Sequence, residues 1–514
     1  MRAEIWLAPK VVAITSSMTT PRRGDNFPVM GNVSKVLLLL CLAGCAGQAD
    51  YFRDAGIPPQ PAALTLEAWP HRELWTGVVF NGDKIGFTRR EVRPAAGAPG
   101  RYEIESEAVI RLRFLGIDKR INLRELDRVR ADLTLEAFRY ENEIDGSRLL
   151  VSGRSDGRVL EFTVEVSGSR EERRIALQQP LYSSSALALL PPVHGLSLGR
   201  QYRYLVFHGE TQVVAEAEQD VTAWESSSLF EGNAFRVATR LLGMDTTTWL
   251  DAAGRPVFEL AMRGVLISAL EDEATARRYL VAASLNKRDS LVDFSLIRAG
   301  PIEEARRVSR MEIVLDGLPP GFALPSGGGQ ACAGARCIID RNAPLAQDDP
   351  SGYLKPTLAA PSNLGEISEL ARQIVLDEKS EEQKITQLLL WMDANIAKQA
   401  VDSFTALDVL RERRAECQGH AYLFAAFSRA LGIPARVVNG LVYSEAHGGF
   451  LFHTWNEAWI AGRGWRPVDA TFGQPHADAT HLKLLEGETP AELLPLVGLV
   501  GRLRVASMEN LLRW

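Results

Sequence analysis

Across residues 69–299 apolar and polar residues alternate with a period of two. The clearest stretch is 102–114. Tyr102, Ile104, Ala108, Ile110, Leu112 and Phe114 fall on one face, and Arg101, Glu103, Glu105, Glu107, Arg111 and Arg113 on the other. This predicts a half-buried antiparallel strand. Leu160, Phe162, Val164 and Val166 repeat the pattern, with Glu161 and Glu165 opposite. Asn81-Gly82, between strand-like segments 76–80 and 84–87, predicts a tight hairpin. Residues 251–254 predict another turn. Many strands without long helices between them predict a large curved antiparallel sheet or barrel. His194 and His208 are isolated here and lack metal-ligand spacing, so this region offers no predicted chemistry.

Residues 301–360 read as a transition. Residues 310–315 suit one strand, and Leu318-Pro-Pro-Gly and Ser326-Gly-Gly-Gly suit loops. From Ser362 the period becomes helical. Leu364, Ile367, Leu370, Ala371, Ile374 and Val375 mark a first helix. Ser380-Glu-Glu-Gln383 forms a capping box for a second, with Ile385, Leu388, Leu389, Met392 and Ile396 inward. A third runs over 417–431 and stops at Gly432 and Pro434. Strand-like segments follow at 435–443, 451–460 and 465–471. The predicted fold class is therefore α+β: a large antiparallel β-rich N-terminal domain (63–300), the transition (301–360), and a C-terminal α+β domain (361–514).

The 514 residues are 46% hydrophobic and 24% charged, which suits a globular chain and not a disordered or coiled-coil one. Lys and Arg number 58 against 64 acids, a net charge of −6, so a basic footprint for nucleic acid is missing. The apolar run at 36–43 is too short to span a membrane and has the proportions of a signal peptide core behind Lys35. Leu42-Ala43-Gly44-Cys45 resembles the lipobox of bacterial lipoproteins. The resemblance implies cleavage before Cys45, lipidation of its sulfur, and an anchor facing the periplasm. Ala46, in place of Asp, favours the outer over the inner membrane. On this reading 1–29 are an extension upstream of the true start at Met30, 30–44 are the signal and 45–62 a tether. The chain has five cysteines, too few for a disulfide scaffold of this size. Cys332 and Cys337, five apart, suit a short-loop disulfide in an oxidising compartment. A metal site there would lack a second ligand pair, and reactive thiols would lack an activating neighbour.

Cys417 falls at a predicted helix start, where backbone N–H groups and the helix dipole favour a thiolate. His453 on a later strand can donate and accept its proton, and Asp469 on the next can orient the imidazole. Cys417-Gln-Gly-His420-Ala, Ala430-Leu-Gly-Ile-Pro-Ala-Arg436, His453-Thr-Trp455-Asn-Glu457 and Gly464-Trp465-Arg-Pro-Val-Asp469-Ala-Thr471 together resemble the core of the transglutaminase-like superfamily. The resemblance covers residues 362–487. It implies a papain-like core with a Cys417–His453–Asp469 triad that catalyses acyl transfer through a thioester. The implied substrate is a protein, peptide or other amide or ester, with no cofactor and no metal. It leaves the β-rich region unexplained. Two departures stand out. Ala415 and Glu416 precede the nucleophile where many members carry Gly, and Glu416 opposes thiolate formation. Arg411 stands where papain-like enzymes place a Gln. For the oxyanion, the Cys417 N–H is one candidate donor, and Trp391 and Trp455 are candidates for the second.

Glu457 shares strand parity with His453, and so can line the site or pair with Arg436. His420, nearly one helical turn after Cys417, fits packing better than substrate contact. Asp478 and His481 read as solvated loop residues. One count is awkward. A hairpin turning over 461–464 pairs Ile460 with Trp465 and sets Asp469 opposite Asn456, on the wrong face for His453. An irregularity near Pro467 is then required. Two rival readings remain: a noncatalytic transglutaminase-like binding module, and an envelope carrier or receptor acting through an apolar concavity of the β-rich domain.

Overall fold

Alternation in the first half of the chain becomes one sixteen-stranded sheet. The computed structural model describes residues 51–60, 63–115, 117–286, 288–376, 378 and 380–512. Cys45 and the other positions read as signal lie outside them. From Glu73–Phe80 the chain meanders through Asp83–Pro94, Arg101–Phe114, Ile117–Arg130, Leu135–Ile144, Ser147–Ser155 and Val159–Val166 to Ser169–Ala176 at one edge. On the other side of Glu73–Phe80 lie Leu266–Glu271, Pro256–Ala261, Met244–Asp251, Asn233–Leu241, Val213–Ser227 and Gln201–His208, ending at Leu181–Ser183. Neighbours are antiparallel except that last pair. Asn81 and Gly82 turn the first hairpin with φ +48° and +85°, as a two-residue primed turn requires.

One face of the sheet packs Ile104, Val151, Leu160 and Phe162 into its largest apolar core. The other carries cross-strand ion pairs such as Arg93 with Glu103 and Glu105. Exposed pairs of this kind fix register more than they stabilise. Two features depart from the sequence reading. Phe52–Asp54, within the stretch read as a tether, pairs with Glu225–Ser227. Residues Glu273–Leu285 form a helix, capped where Asp272 accepts from the Thr275 N–H at 2.7 Å. Only Ala276 and Ala283 are buried on it, so it has no apolar stripe to betray it.

In the transition, Val308–Asp316 lies between Arg336–Asp340 and the C-terminal strand Arg504–Leu512. Gln330–Ala333 completes this four-stranded sheet, and Cys332 and Cys337 are disulfide-bonded across its hairpin. The C-terminal region opens with four helices, α1 (Gly365–Val375), α2 (Glu381–Asn395), α3 (Ala406–Glu412) and α4 (Cys417–Ala430). They bury Ile367, Leu388, Leu389 and Phe424 in a common core. Strands β1 (Ala435–Ser444), β2 (Gly449–Ile460), β3 (Gly464–Val468) and β4 (Leu482–Glu486) form the sheet with the short strand Ile297–Arg298; β2 and β4 flank β1, and both β3 and Ile297–Arg298 pair with β2. The sequence reading lacks α3, β4 and a last helix, Pro490–Val497.

The β2–β3 hairpin corrects the awkward count. Ile460 faces Gly464, so the loop holds residues 461–463 only, and Asn456 faces Val468. Asp469 then continues opposite Trp455, on the same parity as His453. The ladder runs unbroken past Pro467, so the irregularity expected there is not needed. Gly464 makes the shorter loop possible. Its φ is +99°, and a Cβ there would lie 2.3 Å from the Ala346 carbonyl oxygen.

The large sheet also meets the segment that leads into α4. Lys119 pairs with Asp145 at 3.0 Å and reaches Asp402 at 2.7 Å. Ser167 hydrogen-bonds Asp408, the N3 residue of α3.

Gly464→Ala is predicted to destabilise the fold by about 1–3 kcal/mol, from forced backbone strain and the clash. Thermal unfolding checks this; an unchanged melting temperature would remove the register argument.

Candidate active site

Cys417 is the first residue of α4, which satisfies its early N–H groups through Glu416. The Glu416 carboxylate accepts from the Gln418 N–H at 3.1 Å. The same carboxyl group, through Oε2, takes the Cys417 thiol at 3.3 Å. Among the described residues this is the hydrogen bond Cys417 makes from its side chain; none joins it to His453. The Thr454 backbone N–H also bears on the sulfur and favours its charged form. Burial pushes the thiol well above its ordinary range, and the Glu416 charge adds to this. That reverses the expectation that the helix terminus would make a resting thiolate: burial and an adjacent carboxyl outweigh the dipole. Glu416 itself is pushed up to about 7, first by burial and then by Asp402.

His453 sits on β2 with its Nε2 at 2.7 Å from Asp469 Oδ2. Its ring lies between Phe472, stacked with centroids 5.0 Å apart, and Trp455, at 6.2 Å. Burial lowers its pKa, while Asp469 opposes that. Asp469 is wholly buried and accepts from four donors. Oδ2 takes both His453 and His481, the latter at 2.9 Å, and Oδ1 takes the N–H groups of Thr471 and Phe472 at 2.7 and 3.0 Å. Burial raises its pKa, but the two histidines outweigh this and hold it well below the carboxylate range. The group is therefore a fixed anion. With Nε2–H donated to it, His453 keeps Nδ1 as the basic nitrogen.

Asp478 and His481 are not solvated loop residues. Both are buried, and they extend the site by a second carboxylate. His481 Nδ1 lies 3.3 Å from Asp478 Oδ1, and Asp478 Oδ2 takes Arg306 at 3.1 Å. Burial lowers the His481 pKa, but Asp478 and Asp469 together raise it to about 9. Arg306 lies over the Phe472 ring, 3.9 Å from its centroid. The sequence offered only an i, i+3 Asp–His pair as a hint of this network. The ligand atoms of His453, Asp469 and His481 come within 4.8 Å of one another, a spacing a metal could use. A protonated His481 has no lone pair to offer one.

The other candidates separate. Trp455 lines the site. Trp391 does not: it packs edge-on against Phe427 in the helical core, which removes it as an oxyanion donor. Glu457 is an ion-pair partner, bonded to Arg436 at 2.7 Å and to Lys483 at 3.1 Å. His420 is buried, with Nδ1 bonded to the Glu416 carbonyl at 2.8 Å. It steadies the turn carrying Cys417. Arg411 points to Glu366 and away from any glutamine-like role.

Two outcomes follow. Glu416→Gln is predicted to raise the iodoacetamide alkylation rate of Cys417 several-fold at neutral pH, because one source of the raised thiol pKa is gone; an unchanged rate would contradict that coupling. For His481, the folded pKa near 9 exceeds the ordinary 6.5. Its contribution to stability is full below pH 6.5 and is lost as pH rises through 9. Melting temperatures of the wild type should therefore fall over that window, and His481→Gln should flatten the fall.

Residues 368–470 match the profile of the Transglutaminase-like superfamily. Among curated proteins, mouse Kyphoscoliosis peptidase is 29% identical over 132 residues, which is 23% of this chain and 20% of the relative. The chain thus spans about a fifth of that relative's length. Among solved structures, a putative cysteine protease from Cytophaga hutchinsonii is 19% identical, with a TM-score of 0.27, covering 39% of this chain and 88% of that one. A β-barrel-like protein of unknown function from Brucella abortus is 11% identical, with a TM-score of 0.29, covering 42% of this chain and 98% of that one. The C-terminal region is thus a transglutaminase-like domain, in a chain whose N-terminal region is a large β-rich sheet.

Proposed function

We propose that this chain is a cysteine enzyme of the acyl-transfer class, acting on amide or ester carbonyls through a thioester at Cys417. The observation that carries this reading is the buried His453–Asp469 pair at 2.7 Å, on strands that follow a helix begun by Cys417.

At rest the thiol is protonated and held by Glu416. Substrate entry exchanges that contact for His453 Nδ1. The sulfur attacks the carbonyl carbon as Nδ1 takes its proton, and Asp469 stabilises the imidazolium that results. As the first residue of α4, Cys417 has an N–H with no intrahelical acceptor, suited to the oxyanion. Nδ1–H then protonates the leaving amine or alcohol, and the C–N or C–O bond breaks. Water, deprotonated by His453 Nδ1, attacks the thioester carbonyl; the C–S bond breaks, Nδ1–H returns its proton to the sulfur, and the carboxylic acid leaves. We favour water over an acceptor amine, so hydrolysis over cross-linking, because water needs no binding site of its own to reach the thioester.

We further propose that the chain is a lipoprotein anchored through Cys45 and facing the periplasm, with the outer membrane favoured. The lipobox-like Leu42-Ala43-Gly44-Cys45 supports the anchor, and the Cys332–Cys337 disulfide suits an oxidising compartment. Radiolabelled palmitate incorporation, lost in Cys45→Ala, tests this; equal labelling would refute it.

With a panel of activated esters and peptide amides, Cys417→Ala and His453→Gln should each lower turnover about a thousandfold or more. The acid limb of kcat/KM should lie below pH 6.5, because burial keeps His453 neutral there. Turnover that survives both substitutions would favour the noncatalytic binding module.

A further inference from the structure

The inner face of the large sheet encloses a cavity the acyl-transfer chemistry does not use. It has two adjoining lobes of about 470 and 530 Å³. Arg90, Glu259, His208, Ser184 and Ala188 border both. Apolar side chains such as Leu187, Val237, Leu250 and Phe294 make up much of its wall, and charged side chains stand among them.

Its arginine is unsatisfied. Arg90 makes no side-chain hydrogen bond or ion pair among the described residues, and its Nε and Nη1 are buried without an acceptor. A guanidinium cannot escape this by losing its proton. Glu125 and Glu259 are its nearest opposite charges and both act on it, yet neither closes on it. Glu125 lines one lobe and Glu259 both, and burial raises the pKa of each. Glu259 accepts from the Thr248 hydroxyl at 3.0 Å. Two neutral groups on the walls are also unpartnered: the Tyr140 hydroxyl, on a side chain 5% exposed, and the Gln219 amide oxygen, on one 3% exposed. Unpaired buried polar groups cost free energy, and Arg90, Tyr140 and Gln219 each bring one to this space.

We propose that this cavity is a binding site for a small zwitterion of the amino-acid or short-peptide class. Its carboxylate takes the Arg90 guanidinium, and its ammonium lies between Glu125 and Glu259. Tyr140 and Gln219 serve the amide or other neutral polar groups. A simple anion would face two carboxylic groups, and a simple cation would face an unpaired arginine; a ligand bearing both charges satisfies each side. The site is independent of chemistry at Cys417.

Calorimetric titration of the full chain with dialanine, N-acetyl-dialanine and dialanine amide tests this. Dialanine should bind about tenfold or more tighter than either blocked form, because each blocked form leaves one charged wall unpaired. Arg90→Met should weaken dialanine binding by about tenfold or more, with a ligand-free melting temperature that holds or rises, since an unpaired buried charge has been removed. Glu259→Gln should weaken dialanine more than it weakens dialanine amide's competitor, N-acetyl-dialanine, which has no ammonium. Absence of dialanine binding at millimolar concentration would overturn the proposal. So would equal binding of the three probes, or an Arg90→Met chain that melts lower and binds unchanged.

Discussion

The C-terminal site depends on one buried anion. Asp469 has no exposed surface, and two imidazoles and two backbone N–H groups converge on its two oxygens. Such a carboxylate is tolerable inside a protein only while all four donors stay in place. It thereby fixes the end of β3, the turn at residues 470–472, the loop carrying His481 and the ring of His453. Phe472, whose N–H serves the carboxylate, lays its own ring against His453. The orientation of the His453 ring is thus a consequence of satisfying one charge.

The second carboxylate extends that logic outward. Asp478 neutralises His481 from behind and takes Arg306 from the segment preceding the four-stranded sheet. Charges alternate from Arg306 through Asp478 and His481 to Asp469, which holds the neutral His453. All but the part-exposed Arg306 are buried, and each is paired, which is the condition under which low dielectric strengthens a polar network. The nucleophile stands outside this chain. Glu416 holds the thiol, and the large sheet reaches the same segment through Lys119 and Asp402. On the proposed mechanism activation is an exchange of partners at Cys417, and the Glu416 contact holds the sulfur as a thiol.

Much of this was legible in the sequence where pattern and chemistry coincide. Period-two alternation predicted the strands, the Ser380 box predicted α2, and the family resemblance of the motifs around Cys417, His453 and Asp469 implied that the last two would meet, against the strict count of alternation. What escaped has physical reasons. The helix Glu273–Leu285 buries only two alanines, so periodicity could not reveal it. The hairpin loop is one residue shorter than the turn assumed, and parity inverts with each residue of register. Asp478 and His481 looked like loop because their partners lie elsewhere along the chain, Asp469 12 residues from His481 and Arg306 172 residues from Asp478. Local reading also misjudged the thiol. A helix start argues for a thiolate, whereas burial and Glu416 act through three-dimensional surroundings that a linear motif does not encode.

The claim that Cys417 carries the acyl group is tested most directly by intact-mass spectrometry with peptide mapping, after brief exposure to an activated ester and acid quench. The account predicts a single acyl adduct on the peptide containing Cys417, released by hydroxylamine and absent from Cys417→Ala. An adduct of the same yield in Cys417→Ala, or none in the wild type while the ester is turned over, would contradict it.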